Sequence, residues 1–459
     1  MTVAEEPLDM IEGYPLDAAV FDEAVDHDGR PREPALGAFK ALAGHGLAEL
    51  VQSVSAGAAA EGVCFHSVTG DQAFVIDPVP RVLSAAEWAP VEAGLLQRVR
   101  ALNAFVADIY AEARIVKEGV VPARVIETAP YYEPLMRGIK PPGGVWIGIA
   151  GLDLVRDDSG RFLVLEDNVR TPSGFSYAAA ARRALVSHLD VAPEDRPLPL
   201  DGLAAMLEAT LRACSPATEE PRIAVLTDGE HNAAYYEHAW AAGELGVPLL
   251  EPHELDLDSV DVLYRRTNAD RIDTEVGAQL LEAMREGSVG VVNAFGTGVA
   301  DDKLTHAYVE DMVRFYLGEE PTLPSVETFD LGRADTLERA FDVFEELVIK
   351  PRGGYGGVGV VILPHAERKD VEATRAAVLE SPGDFVAQRM VMLSTHPTVV
   401  DSGALAPRHV DLRPYVFLTG ENEGNVMPGG LTRVAFDEGA LVVNSSQNGG
   451  AKDTWVLPR

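Results

Sequence analysis

The stretch KPRGGYGGVGV, Lys350 to Val360, constrains the fold of this 459-residue chain more than any other. Leu347-Val348-Ile349 precedes it and an apolar run to Leu363 follows, so it joins two strand-like segments. Five of the seven residues from Gly353 to Gly359 are glycine. A P-loop carries its lysine after the glycines and opens a helix, and a dinucleotide fingerprint also needs a helix after its last glycine. No helical period begins after Gly359, so neither fits. Two readings remain. A hairpin turn uses glycines well, but five of them enlarge the chain entropy that folding must overcome. A loop that covers a ligand would bring bare N–H groups close to an anion, with Lys350 adding a point charge.

Charge makes the lysines informative. The net charge is −34, and only seven lysines are present, at 40, 117, 140, 303, 350, 369 and 452. So acidic a chain repels nucleic acid and anionic membranes, and a bound polyanion would need local compensation. Lys303, Lys350 and Lys452 fall in glycine-rich or loop-to-helix contexts. No apolar run reaches the ~18 residues of a membrane span. The acidic, polar start MTVAEEPLDM does not resemble a targeting peptide. Cys64 and Cys214 make no disulfide framework and lack nearby basic residues, which predicts inert thiols in a reducing cytoplasm. The histidines show no two-His metal spacing on a helix.

Periodicity predicts an α/β chain with α+β lobes. Ser84-Ala85-Ala86-Glu87 reads as a capping box, and Leu95, Val99, Leu102, Phe105, Val106 and Ile109 follow at helical spacing. PEDRPLPLDG, from Pro193, reads as a linker. Short apolar runs at 223–226, 248–250, 260–264 and 289–292, with helical stretches between several, predict a parallel sheet. A helix is expected over about Lys303 to Leu317, capped by Asp301 or Asp302 and stopped by Gly318. Further strands are expected in DFVAQRMV and HVDLRPYVFL. Arg265 and Arg266 end one parallel strand, where such sheets bind ligands. They would hold a substrate carboxylate or balance Asp261 and Asp270. Tyr235, Tyr236 and Glu237 are weaker candidates of the same kind.

GLDLVRDDSGRFLVLEDNVRTPSG, Gly151 to Gly174, predicts a hairpin turning at Asp157–Gly160. An even turn sets Arg156 against Arg161 and Asp153 against Val164, making Asp153 and Glu166 diagonal neighbours on one face with Asn168. Those oxygens suit magnesium when phosphates and water complete its shell. The same acids equally describe a solvated strand face in an acidic protein. Asp167, on the other face, is expected in solvent. Arg170 would touch phosphate or pair with an acid.

Together this hairpin, LTDGEHNAAYYEHAWAAGELGVPLLE, NAFGTGVADDKLTHAYVEDMVRFYLGEEPTLP, VIKPRGGYGGVGV and NSSQNGGAKDTWVL resemble the circularly permuted ATP-grasp family, related to glutathionylspermidine synthetases. The resemblance runs from about Phe21 to Leu457, in the family's order. It implies a permuted ATP-grasp fold with a Rossmann-like parallel-sheet domain. Residues 1–195 would carry the metal-binding half, 196–295 the parallel-sheet domain and 296–459 the ATP-binding half with its lid. ATP and magnesium, or manganese, are the implied cofactors. Asp153, Glu166 and Asn168 would hold the metal, Lys303 and Lys350 the phosphates, and Gly353, Gly354, Gly356, Gly357 and Gly359 the lid. Residues Gln388 to Val391 would form the adenine hinge, with Gln388 where many relatives have glutamate. Arg413 would contact the γ-phosphate or acyl phosphate, and Arg433 and Lys452 would complete the catalytic set. Lys303 at a helix start opposes the helix dipole by ~0.3–1 kcal/mol unless both face an anion. Otherwise it is a solvent-facing lysine screened by Asp301, Asp302 and Glu310.

The implied activity is ADP-forming carboxylate–amine ligation through an acyl phosphate, on small-molecule or short-peptide acids and amines. A phosphotransferase on the same fold, or a nucleotide-binding protein without catalysis, are the alternatives.

Overall fold

Ser84 opens the long helix as expected. Its Oγ accepts from Glu87 N–H, and the Glu87 carboxylate accepts from Ser84 N–H. The helix runs Ala85–Ile109 and buries Leu95, Val99, Leu102, Phe105, Val106 and Ile109. The computed structural model describes residues 10–65, 72–216, 220–267, 274–353, 359–440 and 449–458. Among the described residues three larger sheets surround the site.

The parallel sheet forms from the predicted runs. Its order is Leu249–Leu250, Ile223–Thr227, Val262–Arg266, Gly290–Val292. Helices Tyr235–Leu245 and Glu275–Glu286 connect its strands. Chain order reverses between Ile223–Thr227 and Val262–Arg266, the place where such sheets offer a crevice.

A nine-stranded sheet draws on distant parts of the chain. Its central path is Gly424–Val426, Tyr415–Leu418, Ile149–Arg156, Leu405–Arg413, Leu431–Ala435, Gly449–Val456 and Ile76–Leu83. Phe162–Asn168 pairs with Ile149–Arg156, and Thr395–Val399 with Leu405–Arg413. The segment after Pro193 lies against this body, where Leu198 N–H donates to Val456 O at 2.8 Å.

The third sheet is antiparallel, in the order Thr328–Asp330, Phe385–Arg389, Leu347–Pro351, Val361–Ile362. It has its own small core of Phe329, Leu331, Phe344, Leu347, Ile349 and Ala387, separate from the main one. The glycine-rich segment therefore joins two paired strands, with no helix at its end. Gly354, Gly356 and Gly357 lie outside the described residues.

The expected helix at 303–317 has the predicted ends but is interrupted. Asp302 caps it by accepting from Leu304 N–H, and Gly318 ends it with φ +66°. It consists of Lys303–His306, Val309–Met312 and a π turn over Val313–Leu317. At the break, Tyr308 OH donates to Asp330 of the small sheet.

Candidate active site

The acidic hairpin reaches the expected face by a different route. Its loop has five residues, so Arg156 faces Phe162 and Leu154 faces Val164. Asp157 builds this loop, its carboxylate accepting from Ser159 N–H, Ser159 OH and Arg161 N–H. An odd-length loop alone would turn Glu166 to the opposite face. One bulged residue, Leu165, restores it, and Asp153 then lies directly opposite Glu166 rather than diagonal to it. Asn168 follows on the same face, opposite Gly151.

The row continues across the sheet. Leu412 pairs with Leu154, which sets Arg413 beside Asp153, and Asp411 pairs with Arg433. Alternate residues share a face, so Glu166, Asp153, Arg413, Asp411 and Arg433 form one charged strip, two acids followed by an arginine, an acid and an arginine. Arg413 grips both Asp153 oxygens at 2.5 and 2.8 Å. Arg433 lies 2.9 Å from Asp153 and donates to Asp411 at 2.8 Å. Burial works to raise the Asp153 carboxyl, but the two guanidinium groups outweigh it and hold it at about 2. Burial raises Asp411, with Arg433 opposing.

The small sheet closes over this strip, leaving a cleft of about 700 Å³. Asp153, Glu166, Asn168, Arg170, Lys303, Lys350, Gly353, Gln388, Val391, Arg413 and Arg433 all line it. Lys303 Nζ lies 3.7 Å from Glu166. Burial and the neighbouring Lys303 pull Lys350 below the usual ammonium range, while Glu166 opposes them. Gln388 donates to Leu165 O and Thr328 Oγ1, which fixes its amide, and its Oε1 is buried without a protein partner. The Arg170 guanidinium stacks over Tyr131 at 4.1 Å.

Lys452 is a correction. It pairs across the sheet with Thr432, one residue out of step with Arg433, so it points to the other face. There it is wholly buried against Asp77 and donates to Pro397 O at 3.0 Å. Asp167 is a second correction. It does lie on the other face of the hairpin, but it is buried rather than solvated. Arg98 holds it at 2.6 and 2.9 Å and His306 at 2.7 Å. The Arg98 guanidinium, with the hydrogen bonds from it and from His306, holds its carboxyl far below the ordinary range, against the effect of burial.

Arg266 and Glu237 are absent from the cleft lining and serve the loop beside it. Arg266 donates to Pro172 O at 2.8 Å and to Ser173 OH. Glu237 accepts from Gly174 N–H at 2.8 Å and Ser176 N–H at 3.1 Å. Asp261 pairs with Arg222 instead. Arg265 donates to Asn293 O and stacks over Phe295. Asp301, Asp302, Asp411 and Arg352 are cleft residues to which sequence reasoning gave no site role. A signal existed for Asp411, two residues before Arg413 on one strand, and for Asp301 and Asp302 beside Lys303. Burial pushes the Asp301 carboxyl up to about 6.

Among the described residues no group of three His, Cys, Asp or Glu could hold a metal alone. A cation here would need oxygens from substrate or water. The residues present fit that case. Glu166 is half-buried at the cleft, and so is Asn168, whose amide has a buried Nδ2 without partner. Rotating that amide presents its oxygen at the same place. Asp153 is engaged by its arginines.

The site is thus a cleft between a small antiparallel lobe and a charged sheet face, with its lysine-bearing elements late in the chain. The chain belongs to the family described as circularly permuted ATP-grasp type 2, whose model matches residues 80–435. It is 41% identical to an uncharacterized protein of Mycobacterium leprae, over 95% of this chain and 82% of that one. A Synechocystis protein, also uncharacterized, is 42% identical over 86% of this chain and 88% of its own. The Frankia casuarinae protein named "Putative glutamate–cysteine ligase 2-2" is 42% identical over 96% of this chain, which spans only 54% of that protein. Among solved structures, a glutathione synthetase-like effector from Globodera pallida in its apo form shares the fold, with TM-score 0.58 and 11% identity. The match covers 89% of this chain and 96% of that one. No helix among the described residues is long and apolar enough to cross a membrane.

Proposed function

We propose that the chain is an ADP-forming carboxylate–amine ligase that makes an amide through an acyl phosphate. The observation that carries this reading is the single cleft where the charged strip of the large sheet meets Lys303 and Lys350. The nucleotide lies between the lobes, its base toward Gln388 and Val391 and its phosphates toward the two lysines. The division at about 195 and 295 into metal-bearing, parallel-sheet and nucleotide-bearing parts belongs to the same reading.

A carboxylate oxygen of the acid substrate attacks the γ-phosphorus, and the bond to the bridging oxygen of ADP breaks. The amine nitrogen then attacks the acyl carbon, phosphate leaves and the nitrogen loses a proton. Arg413 and Arg433 neutralise charge building on the transferred group from positions already removed from water. Lys303 and Lys350 hold the terminal phosphates, with Lys350 and Gly353 at the base of the glycine-rich lid. Glu166 and Asn168, with Asp153 beside them, would hold magnesium or manganese, which supplies charge neutralisation at β- and γ-phosphate oxygens. Such chemistry asks for positioning and charge rather than a side-chain nucleophile. Excluding water protects the acyl phosphate.

The test is ADP release screened across small-molecule and short-peptide acids and amines, with mass detection of product. An amide plus free phosphate is expected, and Glu166→Gln should reduce turnover at least ~100-fold. A stable phosphoester as product would make the protein a phosphotransferase. Full activity of Glu166→Gln with magnesium would remove Glu166 from the metal site.

A further inference from the structure

The peptide between Asn168 and Arg170 is held from both sides by one distant segment. Asp301 Oδ1 accepts from Val169 N–H and, at 2.9 Å, from Arg170 N–H. Asn293 Nδ2 donates to Val169 O and Ile149 O, each at 2.7 Å. Asn293 Oδ1 in turn accepts from Gly148 N–H at 2.8 Å and Ile149 N–H at 2.9 Å. One segment therefore ties together the start of strand Ile149–Arg156 and the end of strand Phe162–Asn168. The same segment continues through Asp302, which caps the helix and takes Arg352 at 2.7 Å, to Lys303 in the cleft.

The ends of strands fray when their backbone groups lack partners. Asn168 is the last residue of its strand and Arg170 lies beyond it, yet both side chains reach the cleft. Asn168 still pairs with Gly151, but beyond it the backbone of Val169 and Arg170 is fixed by Asp301 and Asn293. We infer that Asp301 is a positioning residue that sets the metal-side oxygens of Asn168 and Glu166 at a fixed distance from Lys303. The inference rests on the nucleotide-and-metal reading of the cleft and adds to it a residue that touches neither. What Asp301 contributes is a carbonyl-type acceptor in one place. An amide oxygen at the same position keeps both N–H bonds, whereas a methyl group leaves two N–H groups without partners.

The experiment titrates Mn²⁺ against the full chain in the presence of adenylyl imidodiphosphate, reading bound Mn²⁺ by electron paramagnetic resonance. Groups that orient metal ligands typically change metal affinity 10–100-fold when removed, so Asp301→Ala should raise the half-saturating Mn²⁺ concentration about tenfold or more. Asp301→Asn should stay within about threefold of the native protein. An unchanged Mn²⁺ dependence in Asp301→Ala overturns the inference. So does an Asp301→Asn variant as weak as the alanine one, because the carboxylate itself would then be touching the bound ions. If Asp301→Ala does not fold, Asp301→Glu keeps the charge and moves the acceptor by one methylene. It should show the same rise, and a native Mn²⁺ dependence there counts against the inference equally. Failure of the native protein to bind Mn²⁺ with the nucleotide would overturn the nucleotide-and-metal reading as well, which separates the two claims.

Discussion

Arginines outside the cleft show how this chain handles charge it cannot expose. Glu23 is almost wholly buried, yet Arg81 holds it at 2.6 and 2.7 Å and Arg156 at 3.2 Å, with Ser394 OH donating as well. Burial would raise its carboxyl, but the two guanidinium groups outweigh burial and set it at about 2, below the ordinary 4.5. A carboxyl lowered by folding stabilises the fold above its unfolded value and loses that contribution as pH falls through its folded one. Glu23→Gln leaves buried guanidinium charge unmatched and should cost about 3–5 kcal/mol near neutral pH. The stability difference from the native protein should shrink as pH drops from 4.5 toward 2. Denaturant melts at several pH values would show this, and a difference constant over that range would contradict it. Lys452 belongs to the same class. Its family context pointed to catalysis, but its register turns it into the core against Asp77, a parity that only strand pairing fixes.

The loop Thr171–Gly174 shows how elements from two sheets build one wall. Arg266 takes Pro172 O, Glu237 takes Gly174 N–H, and Tyr415 OH donates to Ser173 O at 2.7 Å. Gly174 has φ +126°, and a Cβ there would come within 2.1 Å of the Tyr415 hydroxyl, so only glycine passes. The loop lies beside Arg413, which donates to Ser173 O at 3.5 Å, next to the place proposed for the group transferred to the acid acceptor. Arg266→Met should therefore lower acceptor-dependent ADP release by roughly 10–100-fold, because small misplacements of reacting groups carry costs of that order. Nucleotide affinity should be unchanged, and equal loss of both, or of neither, would rule out action through the acceptor end. The strands of this region were legible from alternation, and so was the shared face of Asp153, Glu166 and Asn168. The route to that face was not, because a five-residue loop and a bulge cancel and neither leaves a period-two trace. The buried state of Asp167 was hidden for another reason. Its partners Arg98 and His306 come from helices 69 and 139 residues away, and no local pattern encodes such pairings.

The whole molecule is unevenly bound together. The large body shares one extensive core, whereas the lobe carrying Lys350 and the glycine-rich segment packs around only a few buried side chains. It is joined to the body by Val386, which packs in the large core, and by discrete polar links. Arg352 reaches Asp302 and Val125 O, each at 2.7 Å, and Gln388 donates to Leu165 O at 3.2 Å. Regions with few buried apolar contacts open at lower free energy than the core. Backbone amides of Leu347–Pro351 and Phe385–Arg389 should thus exchange with deuterium faster than those of Ile149–Arg156. A nucleotide spanning the cleft binds only when both lobes are in place, so it should protect the small lobe selectively. At one hundred times its dissociation constant, a ligand adds about 2.7 kcal/mol, or roughly 100-fold slower exchange through openings that release it. Native-state exchange with and without magnesium and adenylyl imidodiphosphate measures both effects. Identical exchange limits for both sets of strands, or protection spread evenly over the chain, would mean that the lobes open as one unit and that the cleft is no hinge.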